Sequence, residues 1–313
     1  MRLVTIDRPP GGRTGAIIGD DILDLGMASE IVPIARWIPP SMIEIILAGD
    51  DGLDIVRKVV RAVEHADEAT KARLRQSGAL IPYSGTKLRI PVQSRLIISH
   101  GRAYADHNSE MGAEQDRGKT PGGFVKTNGA VIATGEAIVL PPRFPDQIDW
   151  EGEISVVFGR DCHNVPRDKA MDYVWGWTIL NDVSPRNHIP IVRKTGNLGL
   201  IVLAKQAATM APLGPAITAI DEIPDWRGLH MQTRVNGELM QECWTKDMLW
   251  PVPELIEYFS SWYRFQPGDV LTLGTPGGSG VNRDPPIFLK PGDVVTVAVD
   301  KIGVLENHVV VAG

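Results

Sequence analysis

The stretch Asp149-Trp150-Glu151-Gly152-Glu153-Ile154-Ser155-Val156-Val157-Phe158 decides how the rest of the chain is read. Ile154, Val156, Val157 and Phe158 form an apolar run closed by Gly159, the pattern of a strand buried in a core. Alternate residues of a strand share a face, so Glu151 and Glu153 point the same way, roughly 7 Å apart. Two carboxylates on a buried face lose hydration and repel each other. A hard divalent cation relieves both costs, because Mg²⁺ and Ca²⁺ take oxygen ligands. A second apolar stretch, Tyr173 to Leu180, runs into Asn181-Asp182 and brings a further carboxylate to the end of a neighbouring strand. The competing reading puts Glu151 and Glu153 on the wet face of an edge strand, where glutamates usually lie.

The 313 residues leave room for one large domain or a small one joined to a large one. At 43% hydrophobic and 22% charged the composition is that of a globular protein. Thirty-two basic against 38 acidic residues give a net charge of −6 with no basic block, which argues against nucleic acid or an anionic membrane surface as partner. Cys162 and Cys243 are the only cysteines and form no Cys-x-x-Cys, so neither a disulfide framework nor a structural zinc site is supported. No apolar run approaches a membrane span, and the one in Met1–Arg8 is too short for a signal peptide. A cytoplasmic location is expected.

Residues 1–90 read as a small α/β domain. Short strands at Leu3–Ile6, Ala16–Gly19 and Ile22–Leu25 precede a helix capped by Pro40-Ser41 and ended by Gly49–Gly52. An amphipathic stretch from Leu53 to Leu74 follows. No catalytic residue types cluster there. The boundary falls at the turn-rich Pro82-Tyr83-Ser84-Gly85, and 91–313 form the second domain. There Leu96–Ile98 is a strand that delivers Ser99 to Glu110. With Asp106 as N-cap, His107 and Glu110 fall at i and i+3 on one face of a short helix. A carboxylate at that spacing can orient the imidazole and make it more basic, as a general base for water requires; an ordinary surface ion pair would look the same. His100 has no such partner and is read as structural.

Gln232–Met240 is a hairpin turned by Asn236-Gly237, and Pro166–Val174 and Pro253–Trp262 are helices. Pro267-Gly268-Asp269 and Pro291-Gly292-Asp293 each lead into a strand. Many short strands with few long helices predict a mixed, β-rich α/β protein with a barrel or sandwich at its centre. The segment Gly274–Gly280 lacks the Gly-Lys-Ser/Thr ending of a P-loop; it is either a backbone wall for a small anion or a plain tight loop.

Taken together in order, these residues resemble the fumarylacetoacetate hydrolase family. The parts are Tyr104…His107-x-x-Glu110, Phe124-x-Lys126, Asp149-x-Glu151-x-Glu153, Asn181-Asp182-Val183-Ser184-x-Arg186, Lys205 with Pro212–Pro215, Val235–Glu238, and Pro267-Gly268-Asp269…Gly274-Thr275-Pro276. The likeness runs from about Leu96 to Val311. It implies a β-roll catalytic domain, a homodimer, and Mg²⁺ (Mn²⁺ or Ca²⁺ in some relatives) held by Glu151, Glu153 and Asp182. His107 and Glu110 match the water-activating dyad, and Lys205 matches a lysine that stabilises developing negative charge. Tyr104, Lys126, Arg186 and Thr275 fall at substrate-contacting positions. The implied activity is metal-dependent hydrolysis of a C–C bond in a β-diketo acid of the acylpyruvate type, such as a fumarylpyruvate or fumarylacetoacetate. The alternatives are decarboxylation, isomerisation or dehydration of a 2-oxo acid, or a non-catalytic paralogue that binds one. Ala103, Asn187-His188-Ile189 and Gln206-Ala207-Ala208 depart from the family pattern and alter the pocket while leaving the metal and base positions intact.

Overall fold

The computed structural model describes residues 1–32, 38–112 and 114–312. Residues 33–37 of the expected N-terminal domain, and 113 and 313 of the expected catalytic domain, lie outside it. The β-rich α/β architecture is as expected. The principal sheet is organised on two strands buried along their whole length, Gly152–Phe158 and Val174–Asn181. They pair antiparallel with Gly152 opposite Asn181 and Glu153 opposite Leu180. That register sets Asp182, one residue past the strand, beside Glu151, whose carbonyl accepts from the Asp182 N–H at 2.8 Å. Val270–Thr272 extends the sheet on one side and is followed by Ile97–Gly101, parallel to it, and then Gly122–Lys126. On the other side lies Ala211–Ala219.

The first strand, Arg2–Ile6, pairs with Ala211–Ala219, and Arg13–Ile18, Asp21–Asp24 and Leu80–Pro82 continue outward from it. Residues at the N-terminus therefore share one hydrogen-bonded ladder with the strands that carry the acidic residues. A second sheet of five strands holds the predicted hairpin, His230–Val235 with Glu238–Trp244. Asn236 (φ 52°) and Gly237 (φ 83°) turn it as two consecutive left-handed residues, the combination a tight two-residue loop demands.

Several local expectations change. The first helix, Met42–Leu47, ends before Gly49 as expected, but the next, Gly49–Glu64, begins there at once rather than at Leu53. The long amphipathic stretch then breaks, because Asp67 accepts from Thr70 N at 2.8 Å and caps a separate helix, Glu68–Ser77. Arg167–Tyr173 is a 3₁₀ segment rather than an α-helix, and Val174 already belongs to the next strand.

One glycine fixes how closely the two sheets approach. A Cβ on Gly152 would collide with Thr233 Oγ1 and lie 3.0 Å from Val297, both on the second sheet. Gly152→Ala is therefore expected to lower unfolding free energy by about 1–3 kcal/mol, the range for overpacking a filled core. Denaturant titration measures it, and an unchanged midpoint would contradict this packing.

Candidate active site

The strand register brings Glu151, Glu153 and Asp182 together: one carboxylate oxygen from each lies within 4.8 Å of the others, and all three residues are buried. The wet-edge reading of Glu151 and Glu153 is thus set aside. Glu153 is held by Thr272 Oγ1, by Ser99 Oγ at 3.4 Å and by the Gly274 N–H at 3.3 Å. Glu151 accepts from Arg186 and Lys205, and from Ser184 Oγ at 3.3 Å. Asp182 accepts from Lys126 and, at 2.8 Å, from Lys205. With Asp149 the pocket floor gathers four buried carboxylates against the three cations Lys126, Arg186 and Lys205.

That imbalance is resolved on Glu153. Burial, reinforced by the Asp182 charge and only partly offset by the Thr272 hydrogen bond, pushes its carboxyl well above the usual carboxylate range. On Glu151 burial acts in the same sense, but Arg186 and Lys205 outweigh it and hold the group ionised. Burial also works against the charge on Lys205, where Asp182 and Glu151 prevail and raise its pKa. On Lys126 burial wins over Asp182 and the pKa falls. A divalent cation fits this donor set. The three oxygens are hard, the cluster contains no thiolate or imidazole, and the surplus negative charge now met by a proton on Glu153 is what a dication would meet instead.

His107 is buried at the mouth of the triad, on the short helix Ala105–Glu110. Burial lowers its pKa, with Glu151 pulling the other way and Arg186 and Lys205 adding to the fall. Its Nδ1 is sealed from water without a hydrogen-bond partner, which leaves Nε2 to face the cavity. The expected pairing with Glu110 is corrected here. Glu110 is exposed, and its carboxylate accepts from the Gly278 N–H at 2.8 Å and from Asn282 Nδ2 at 3.4 Å. The imidazole turns inward to the triad while the glycine loop draws the carboxylate outward. Asp106 is not the N-cap either: Tyr104 holds that position, and Asp106 accepts from the N–H of His107 at 2.7 Å.

The other predicted residues separate into layers. Lys126 and Lys205 sit on the floor, where the Lys126 ammonium also donates to the Lys205 carbonyl at 2.8 Å. Thr275 is buried and accepts from Gln241 Nε2 at 2.8 Å. Tyr104 packs into the core, with its hydroxyl engaged by Cys243 Sγ at 3.4 Å, and does not line the mouth. His100 is structural as read: its Nδ1 meets the Gly122 carbonyl at 2.9 Å, and burial lowers it to about 4. The mouth is a cavity of about 520 Å³ lined by His107, Glu110, Gln147, Arg186, Ile189, Arg193 and Phe288, among others.

Sequence reasoning gave no role to Gln241, whose amide also donates to the Pro276 carbonyl and accepts from the Gly152 N–H, each at 3.0 Å. Its position in a hairpin strand carries no local signal, because its partners lie tens of residues away. In the glycine loop two N–H groups bind the protein's own carboxylates: Gly278 takes Glu110 and Gly280 takes Asp149.

The model of the fumarylacetoacetate hydrolase C-terminal family matches residues 96–310. The chain belongs to the fumarylacetoacetate hydrolase family. Within this family it is 34% identical over 298 residues to the oxaloacetate tautomerase YisK of Bacillus subtilis, covering 94% of this chain and 95% of that protein. Among solved structures, maleylpyruvate hydrolase from Sphingobium sp. SYK-6, determined with manganese and pyruvate, is 28% identical with a TM-score of 0.73. A 5-carboxymethyl-2-hydroxymuconate delta-isomerase from Mycobacterium smegmatis is 29% identical with a TM-score of 0.70. Both superpositions cover 100% of either chain. Family members thus include hydrolases, isomerases and a tautomerase, and one was determined with manganese bound; the buried acidic triad of this chain is suited to a divalent cation. Among the described residues no helix is long and apolar enough to cross a membrane.

Proposed function

We propose that the protein is a divalent-cation-dependent enzyme that moves the proton at C3 of a short 2-oxo diacid, interconverting its keto and enol forms. The observation that carries this reading is His107: an imidazole kept neutral by burial, facing the triad, and without the carboxylate partner that would make it a stronger base. A neutral imidazole is the form able to accept a proton, here from the carbon next to a chelated carbonyl. The cation, for which Mg²⁺ is proposed and Mn²⁺ is the alternative, would be held by Glu151, Glu153 and Asp182 and would make the adjacent C–H more acidic by Lewis-acid polarisation of the 2-oxo group. His107 Nε2 then takes the C3 proton and returns it to oxygen or carbon. Lys205, a buried ammonium 5.2 Å above the Phe124 ring, stabilises negative charge developing on the substrate oxygen.

Substrate preference is assigned to the mouth. Arg186 is already neutralised by Asp149 and Glu151. Arg193, four residues after Ile189 on the helix His188–Thr195, lines the same cavity, and among the described residues it enters no ion pair. It is placed for the far carboxylate of a diacid. Arg193→Gln is expected to raise KM for oxaloacetate roughly tenfold, the value of one lost charge-assisted contact, with kcat little changed. Equal changes for a 2-oxo monoacid would contradict this assignment.

C–C hydrolysis of an acylpyruvate is the second reading, supported by the likeness to maleylpyruvate hydrolase over the full chain. One panel separates the two: keto–enol equilibration of oxaloacetate and pyruvate release from acylpyruvates, each with Mg²⁺ and with EDTA. Metal-dependent equilibration without acylpyruvate cleavage is the expected result. Cleavage without equilibration would transfer the assignment to the hydrolases.

A further inference from the structure

Asp149 is used by no step above, yet it is completely buried and saturated with donors. Its Oδ2 accepts from Arg186 Nε at 2.9 Å and from the Val281 N–H at 3.2 Å. Its Oδ1 accepts from the Gly280 N–H at 2.6 Å and the Trp150 N–H at 2.9 Å. The backbone reinforces this arrangement, since Asp149 pairs with Ser184, two residues before Arg186, and the Arg186 N–H donates to the Gln147 carbonyl at 2.7 Å. No space is left over: a Cβ on Gly280 would collide with the Ile287 carbonyl and lie 2.9 Å from Asp149 Oδ1.

Arg186 bridges two carboxylates, with Nε toward Asp149 and Nη2 toward Glu151. Glu151 is one of the three oxygen donors of the triad, so the guanidinium and a cation draw on the same carboxylate. If the Asp149 charge were absent, Glu151 would be the sole anionic partner of Arg186, and the guanidinium would settle on it. We infer that Asp149 is a positioning residue that holds Arg186 by its Nε edge, so that Arg186 orients Glu151 without displacing a cation from it. The same carboxylate ties this arrangement to the glycine loop through Gly280 and Val281. The inference rests on the metal-dependent reading above, but it concerns the chain's own residues and is read by binding.

The test is a double-mutant cycle on Mn²⁺ affinity, measured by titration calorimetry on the full chain without substrate. Asp149→Asn keeps the size and one acceptor and removes the charge; it is expected to weaken Mn²⁺ binding about 10–100-fold, as loss of a partner behind a metal ligand does. Arg186→Met removes the competitor and is expected to bind Mn²⁺ at least as well as the unaltered protein. In the Arg186→Met background Asp149→Asn is expected to change nothing further. Equal weakening by Asp149→Asn in both backgrounds, or none in the unaltered one, would overturn the inference. Absence of Mn²⁺ binding by the unaltered protein would instead defeat the metal reading, and the inference with it. Should Asp149→Asn fail to fold, the Arg186 Nε–H signal of the unaltered protein, assigned by its loss in Arg186→Met, decides by NMR. Slow exchange with solvent is expected, and rapid exchange would overturn the inference.

Discussion

Glu153→Gln is expected to remove most of the activity while leaving the metal-free protein as stable as before, or more so. Burial and the neighbouring Asp182 push the Glu153 carboxyl well above its ordinary range, so near neutral pH without a cation the group carries a proton. Glutamine mimics that neutral form and can still accept from Thr272, Ser99 and Gly274. The sign follows from linkage. A carboxyl with a raised folded pKa contributes its stability at low pH and loses it as pH rises through the raised value. The melting temperature of the metal-free protein should accordingly fall as pH rises from the ordinary carboxylate range through neutrality and level off above the raised value of about 8, and Glu153→Gln should flatten that fall. Adding Mg²⁺ or Mn²⁺ should raise the melting temperature of the unaltered protein and not of the variant. Cation binding should release a proton between the ordinary and the raised pKa, visible as a buffer-dependent heat that the variant lacks. The rate should drop on the order of a thousandfold, since Lewis-acid stabilisation supplies several kcal/mol and each 1.36 kcal/mol is tenfold. A variant that still gains stability from the cation would show that Glu153 is not a ligand.

His107→Ala should reduce kcat by about 10²–10⁴-fold, the usual contribution of a general base, with Mn²⁺ affinity unchanged. Added imidazole should restore part of the rate. Because burial lowers the pKa of His107, its basic form persists below the ordinary histidine range. The rate should be lost only as pH falls through that lowered value, and an acid limb at or above the ordinary histidine pKa would contradict the assignment. Glu110→Gln is the companion experiment. Glu110 holds the glycine loop rather than the imidazole, and its neutral isostere keeps an acceptor oxygen, so the change should cost less than tenfold, the scale of one ordinary hydrogen bond at about 1 kcal/mol. A loss as large as that of His107→Ala would restore the dyad and favour hydrolysis.

The three carboxylates of the triad were legible because strand alternation and an apolar run are local patterns, and an Asp after a second apolar run completes them. The arrangement around them was not. Arg186 could be recognised as a polar residue at a strand end, but its anchorage on Asp149 depends on the short pairing of Ile148–Asp149 with Ser184–Pro185. The pairing of Leu3 with Ile217 joins residues over two hundred positions apart and leaves no trace in either segment. The apolar run Leu198–Ala204 forms a helix, Gly199–Ala204, whose Leu203 stands exposed, against the ordinary expectation that such a run is buried. His107 and Glu110 failed as a pair because the i, i+3 rule places Cα atoms on one helix face and says nothing of stronger partners elsewhere.

The central claim, metal-dependent proton transfer at C3 by His107, is tested most directly by following deuterium entry at C3 of a 2-oxo diacid in D₂O by proton NMR. The comparison is among the unaltered protein with Mg²⁺, the same protein with EDTA, and Mg²⁺ alone. Exchange well above the ion-only rate is expected, suppressed by EDTA and by His107→Ala. Exchange no faster than the free ion supports, from protein that demonstrably binds the ion and oxaloacetate, would contradict it.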